Sequence, residues 1–134
     1  MSRAREPRWV TRRVVDGIHA DLVRMFGGSH GVRDEGLLES ALHRPLQRRT
    51  YDPSADLAAC AAAYGIGIAK NHAYVDGNKR TAFQVMYVFL GLNGHRLVAD
   101  EREVVGLMLD VATSRIDEIQ LAEWIRAHLA PRGG

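Results

Sequence analysis

The sequence predicts an all-α fold, a compact helical bundle packed around one central buried helix. Two observations carry this: apolar residues recur at helical spacing in six segments, each bounded by capping or breaking residues, and no alternating run of strand length appears. The length of 134 residues fits one domain spanning 1–134. With 46% hydrophobic and 25% charged residues, the chain has enough apolar surface to fold unaided. Residues 1–10 read as a basic arm outside the bundle, and residues 130–134 as a frayed tail.

The first helix is expected from about Thr11 to Met25, with Val14, Val15, Ile18, Leu22 and Val23 on one stripe and Gly27-Gly28 as its stop. Asp34 offers an N-cap for a short second helix carrying Leu37, Leu38, Ala41 and Leu42, ended by Pro45 because proline disfavours a helical residue before it. From Gln47 to Pro53 the residues are polar, basic and turn-like, and read as a loop or short hairpin that could serve as a mobile flap. Ser54 can cap a third helix from Ala55 to about Asn71, whose many alanines let neighbours approach closely. The fourth, Asn78 to Leu92, is apolar on nearly every side, as expected for the helix at the centre of the bundle, and Asn93-Gly94 ends it. Asp100 with Glu103 caps a fifth helix, Val104 to Ala112. A last amphipathic helix from about Asp117 to Leu129 carries Ile119, Leu121, Trp124 and Ile125 before Pro131.

Composition also limits function. A net charge of +2 is too small to imply direct nucleic-acid binding, although Arg3, Arg5, Arg8, Arg12 and Arg13 crowd the start with only Glu6 to offset them. Such an arm can help dock an acidic partner, or simply be solvated. The single cysteine, Cys60, permits no internal disulfide and reads as a small buried apolar group. The basic start has no apolar core of a signal peptide behind it, and no stretch nears the ~20 apolar residues needed to span a membrane. A cytoplasmic protein is expected. The six histidines show neither a metalloprotease motif nor paired ligand spacing, which argues against a metal hydrolase.

The chemistry concentrates in one stretch, H-A-Y-V-D-G-N-K-R-T-A, from His72 onward. Helix N-termini carry partial positive charge and attract Asp or Glu, yet Lys79 and Arg80 occupy the first turn of the fourth helix, at roughly 0.3 to 1 kcal/mol each if nothing compensates. A bound anion would compensate. Unpaired backbone N–H groups, the helix dipole and two cations suit phosphate oxygens, Gly77 lets the backbone approach them, and Asn78 can add a side-chain donor. His72 offers an imidazole, the side chain most often used to take a proton from a hydroxyl nucleophile. Asp76 supplies a carboxylate to hold Mg²⁺ or to orient the hydroxyl. Singly, each has a plainer explanation: a helix-end histidine, a turn aspartate, a solvated cationic pair. Capping explains none of the basic residues, so together they read as a site. Tyr74 reads as a hydrophobic anchor for the loop.

This segment resembles the signature of the Fic/Doc superfamily, and specifically its Doc (death on curing) branch, where the loop reads H-x-F-x-D/N-x-N-K-R-T-A. His72, Asp76, Asn78, Lys79, Arg80, Thr81 and Ala82 match, and Tyr74 replaces phenylalanine. The stretches Phe26 to Leu42, Phe89 to Gly94 and Ile116 to Ile125 are also similar to the family. Lys79 and Phe83 stand where the Fic branch has its second glycine and final arginine, and both departures are Doc-like; Gln84 replaces a common asparagine.

The resemblance implies a Fic/Doc-type bundle and a toxin of a type II toxin–antitoxin system. Its activity would be transfer of the γ-phosphoryl of ATP, with Mg²⁺, to a hydroxyl, a threonine of elongation factor Tu being the leading target, so that translation stops. It assigns His72 as base, Asp76 as the metal or hydroxyl-orienting carboxylate, and Asn78, Lys79 and Arg80 as the phosphate grip. Many Fic enzymes carry a self-inhibitory S/T-x-x-x-E-G/N helix; the nearest string here, Ser2 to Glu6, runs into Pro7. Control by a separate Phd-like antitoxin, folding across an apolar groove, is therefore implied. The alternatives are AMP transfer by the same site and a catalytically degenerate binding module.

Overall fold

Side-chain caps set most of the helix starts. The computed structural model describes residues 6–133 and contains, in order, α1 (Arg12–Phe26), α2 (Glu35–Tyr51), α3 (Leu57–Asn71), α4 (Asn78–Leu92), β1 (His95–Leu97), α5 (Glu101–Ala112), α6 (Glu118–Ala127) and β2 (Leu129–Pro131). Thr11, Asp34, Asp56, Asp100 and Asp117 each accept a backbone N–H of the first turn that follows. At Asp100 and Asp117 the third helical residue, Glu103 or Gln120, reaches back to the cap's own N–H and completes a capping box. The all-α class holds.

The centre of the bundle is α3, not α4. Every residue from Ala58 to Ala69 is buried, and α2, α4 and α6 all pack on it. Small side chains make this enclosure possible. A Cβ on Gly67 would sit 3.1 Å from the Cα of Ala41 in α2, and one on Gly65 would strike Met86 of α4 and stand 3.2 Å from Leu121 of α6. By contrast α4 buries Ala82, Val85, Met86, Phe89 and Leu90 on one side and leaves Lys79, Arg80 and Tyr87 exposed on the other. Its apolar character all round reflects a cleft that it lines rather than a central position.

Four further expectations are corrected. Pro45 does not end the second helix, which continues to Tyr51. The carbonyl left without its intrahelical donor by Pro45 is that of Ala41, which faces the bare backbone of Gly67, and the helix keeps Pro45 buried despite the ~3 kcal/mol that an internal proline costs. The expected flap is therefore largely helix: 47–51 form the last turns of α2, followed by a tight turn in which Ser54 donates N–H and Oγ–H to Asp52. Ser54 thus serves that turn, and the cap of α3 is Asp56. Finally, the tail expected to fray from 130 is strand as far as Pro131. Leu129–Pro131 pairs antiparallel with His95–Leu97, and Arg132 bonds the carbonyls of Gly91 and Gly94. Two three-residue strands so far apart in sequence carry no alternation to read.

Of the basic arm, residues 1–5 with Arg3 and Arg5 lie outside the described residues. The chain is already anchored by Arg8, whose backbone exchanges two hydrogen bonds with the Asn93 amide, and by Val10, whose N–H donates to the buried Tyr64 hydroxyl. Trp9 stacks on Phe89. Among the described residues no helix is long and apolar enough to cross a membrane.

Candidate active site

The loop between α3 and α4 is fixed by groups from α1 and from the α1–α2 connection. His72 ends α3 in the left-handed region (φ 51°, ψ 43°), a strained backbone for a side chain larger than glycine. Arg33 holds it there, with Nε donating to the His72 carbonyl at 2.8 Å and Nη2 reaching the Asn71 carbonyl at 3.4 Å. The Ala73 carbonyl accepts from the N–H groups of Arg33 and Asp34, Val75 donates to Gly31, and Val32 and Tyr74 form an antiparallel bridge.

Tyr74 does more than anchor the loop. It is buried and its hydroxyl donates to Asp16 of α1 at 2.7 Å; burial first, and then the Asp16 carboxylate, push its pKa well above the tyrosine range and keep it a donor. Its ring stacks on His19, centroids 3.8 Å apart and nearly parallel. His19 is itself buried, and its Nε2 lies 2.8 Å from the carbonyl oxygen of Asp76. A carbonyl only accepts, so that nitrogen carries the proton.

Gly77, at φ 74°, then turns the chain into α4. Alone among the six helices of the described residues, α4 begins with no side-chain cap and no acidic residue in its first turn. Its leading N–H groups lack the acceptor that Thr or Asp supplies elsewhere, and Lys79 and Arg80 stand exposed beside them. The residues from Asp76 to Arg80 form one end of a cleft of about 740 Å³. Its other walls are mostly apolar, with Leu22 and Phe26 of α1, Phe83 and Tyr87 of α4, and Val104 and Met108 of α5, and with Gln84 and Glu101 as the polar exceptions. The Arg80 guanidinium sits 4.4 Å above the Phe26 ring centroid, which aims it along the cleft wall.

Of the residues singled out from the sequence, Asp76, Gly77, Asn78, Lys79 and Arg80 are thus brought together on the cleft, while His72 lies exposed at the C-cap of α3 and is not among the lining residues. The Asn78 amide has a use the sequence did not suggest. Its oxygen accepts from the Tyr74 N–H and its nitrogen donates to the Tyr74 carbonyl, so both ends brace the loop and only the second N–H remains for a ligand. The Asp76 carboxylate accepts from Gly77 N–H at 3.0 Å and Ser29 N–H at 3.4 Å. A Cβ on Gly28 would lie 2.8 Å from it, so Gly28 backs the carboxylate closely. Sequence reasoning missed His19, Asp16, Arg33 and Gly28 as site residues. Only Gly28 and Arg33 carried any signal, lying inside a stretch already notable for its match to a family pattern.

No cluster of three or more metal-ligating side chains occurs among the described residues. Asp76, a single carboxylate with lone pairs still open toward the cleft, suits Mg²⁺, which takes one or two carboxylates and completes its shell with phosphate and water oxygens.

The sequence is similar to those of known proteins. Toxin Doc of Mycolicibacterium smegmatis is 46% identical over 96 residues, covering 69% of this chain and 73% of that protein. Protein kinase doc of Escherichia phage P1 is 32% identical over 109 residues, covering 81% and 86%. The sequence profile of the Fic/DOC family matches residues 9–90, which span α1, α2, α3, the loop after it and most of α4, and the chain therefore belongs to the Fic/DOC family.

Proposed function

We propose that this chain is a Doc-type toxin kinase that transfers the γ-phosphoryl group of ATP to a protein hydroxyl, the leading target being a threonine of elongation factor Tu, with arrest of translation in the cytoplasm as the result. The observation that carries the reading is the uncapped, doubly cationic N-terminus of α4 at the end of a cleft large enough for a nucleotide. The names of the two relatives, one a toxin and one a protein kinase, support it.

In this mechanism Lys79, Arg80 and the first N–H groups of α4 bind the phosphate oxygens and the negative charge that builds on them. Asp76 would hold Mg²⁺, which when bound would neutralise part of that charge. His72 takes the proton of the attacking hydroxyl as its oxygen bonds to the γ-phosphorus and the bond to the β-phosphate oxygen breaks, leaving ADP. The apolar part of the cleft, including Leu22, Phe83, Tyr87 and Met108, suits a segment of a Phd-like antitoxin that folds on binding. Lys79 favours γ- over α-phosphoryl chemistry, because a bulky cation fills the space that a glycine would leave for the α-phosphate.

Incubating the protein and elongation factor Tu with ATP labelled at the γ- or the α-position tests the reading. Label should pass to protein from the γ-position only, and His72→Ala should abolish both transfer and growth inhibition. Label arriving only from the α-position makes the chain an AMP transferase. Undiminished toxicity of His72→Ala makes it a binding module.

A further inference from the structure

We infer that His19 is a positioning residue for the phosphate-binding loop: its Nε2–H fixes the peptide between Asp76 and Gly77, and with it both the Asp76 carboxylate and the entry of α4. The inference rests on the proposed phosphoryl-transfer reading for its kinetic part only.

Three observations carry it. His19 occupies a buried position on α1 one turn from Val15 and one from Val23, where an apolar side chain would pack equally well. It is 3% exposed, and apart from the tyrosines and Cys60 only Thr81 shares with it the standing of a buried polar side chain among the described residues. Burying an imidazole N–H without a partner is unfavourable, and the partner here is no neighbour on α1 but the Asp76 carbonyl, 57 positions along the chain, at 2.8 Å. The ring has little freedom to leave that acceptor. Tyr74 covers one face in a near-parallel stack, and the tyrosine is tied through Asp16 to Arg12, which in turn grips Glu35 at the start of α2 with both terminal nitrogens.

The peptide thus held is the one where small errors matter most. Its carbonyl is bonded to His19, its nitrogen belongs to Gly77 and donates to the Asp76 side chain, and Gly77 packs close enough that a Cβ there would lie 3.9 Å from the imidazole. Rotation of this single peptide swings the carboxylate and the first N–H groups of α4 together. An apolar side chain at 19 would fill the volume and leave that rotation unopposed.

The test compares His19→Phe, which keeps the stacked disc and loses the donor, with His19→Gln, which places an N–H at nearly the same reach. Both are first shown to be folded by thermal unfolding. In wild-type protein, amide hydrogen exchange at Gly77 and Thr81, whose N–H groups donate to the Asp76 carboxylate and the Gly77 carbonyl, should be slow; in His19→Phe it should quicken about fivefold, and in His19→Gln return to near the wild-type rate. This readout holds whichever phosphorus reacts, or if none does, so it separates failure of the positioning claim from failure of the kinase reading. Where wild-type transfer is measured, His19→Phe should lower kcat by roughly 10- to 100-fold while KM for ATP changes far less, with kcat largely recovered in His19→Gln. A folded His19→Phe protein with wild-type exchange and wild-type kcat overturns the inference. So does a glutamine variant no better than phenylalanine, since the ring's shape rather than its N–H would then be what matters.

Discussion

Reversing the charge of Lys79 should make the free protein more stable and the nucleotide-bound protein less so. Lys79 lies in the first turn of a helix that has no cap and no acidic residue, and it makes no ion pair among the described residues. One cation there opposes the helix dipole by roughly 0.3–1 kcal/mol, and replacing it with an anion turns that opposition into attraction, a swing of about 0.6–2 kcal/mol. For a domain of this size 1 kcal/mol moves Tm by roughly 3–5 °C, so Lys79→Glu should melt roughly 2–10 °C above wild type without ligand, and Lys79→Gln about halfway between. Magnesium nucleotide at 100 times its Kd stabilises the wild type by about 2.7 kcal/mol, or roughly 8–13 °C, and this shift should collapse in the glutamate variant. The signature is a crossing of the two Tm values between ligand-free and ligand-saturated scans. A ligand-free Tm that does not rise, or a nucleotide shift that survives the reversal, refutes the reasoning that these charges exist for a bound anion.

Two further substitutions probe the frame around the site. Gly28→Ala combines a backbone at φ +110° with a Cβ 2.8 Å from the Asp76 carboxylate; it should lower stability by about 1–3 kcal/mol in urea unfolding and depress transfer activity further than that loss explains, because the carboxylate must move. Asp56→Asn keeps an acceptor for the Ala59 N–H but removes the ion pair to Arg126 of α6, which leads the causes holding the Asp56 pKa below its ordinary 3.8. A depressed folded pKa gives stability that is complete above the unfolded value and fades as pH falls through the folded one. The variant should therefore be less stable at pH 7 by roughly 0.2–1 kcal/mol, screened as this half-exposed pair is, and the gap should close below about pH 4 in denaturant titrations; a gap that persists at low pH would show that the ion pair is not its source.

What the sequence shows of the fold is mostly local. The caps at Asp34 and Asp100 and the stop at Gly27 are chemistry between residues a few positions apart and are legible, as are the approximate starts of α1 and α6 at Thr11 and Asp117. Errors arise where tertiary packing overrides a local rule. Pro45 breaks an isolated helix, yet here its orphaned carbonyl is tucked against Gly67, a contact between residues 41 and 67 that no window of sequence displays. The identity of the central helix was misjudged for a related reason. Side-chain size suggested α4, with its Phe, Met and Val, whereas the position in the middle belongs to the alanine- and glycine-rich α3, because only a thin helix can be surrounded at close range.

The site divides along the same line. The groups that line the cleft, from Asp76 to Arg80, are contiguous, since a helix N-terminus gathers its donors from consecutive residues, and their charge pattern betrays them. The groups that hold this cradle still cannot be contiguous with it, because a loop cannot brace itself against its own rotation. They must come from rigid elements, and they do: His19 and Asp16 from α1, Arg33 from the turn into α2, with Asn78 closing the loop on itself. In sequence such residues look like an ordinary histidine on an apolar stripe or an ordinary exposed arginine. It follows that substitutions in α1 can abolish activity while leaving every residue of the signature intact. Scanning α1 for variants that fold normally but lose activity should return His19 and Asp16 ahead of Asp21 and Arg24, which pair only with each other at the surface.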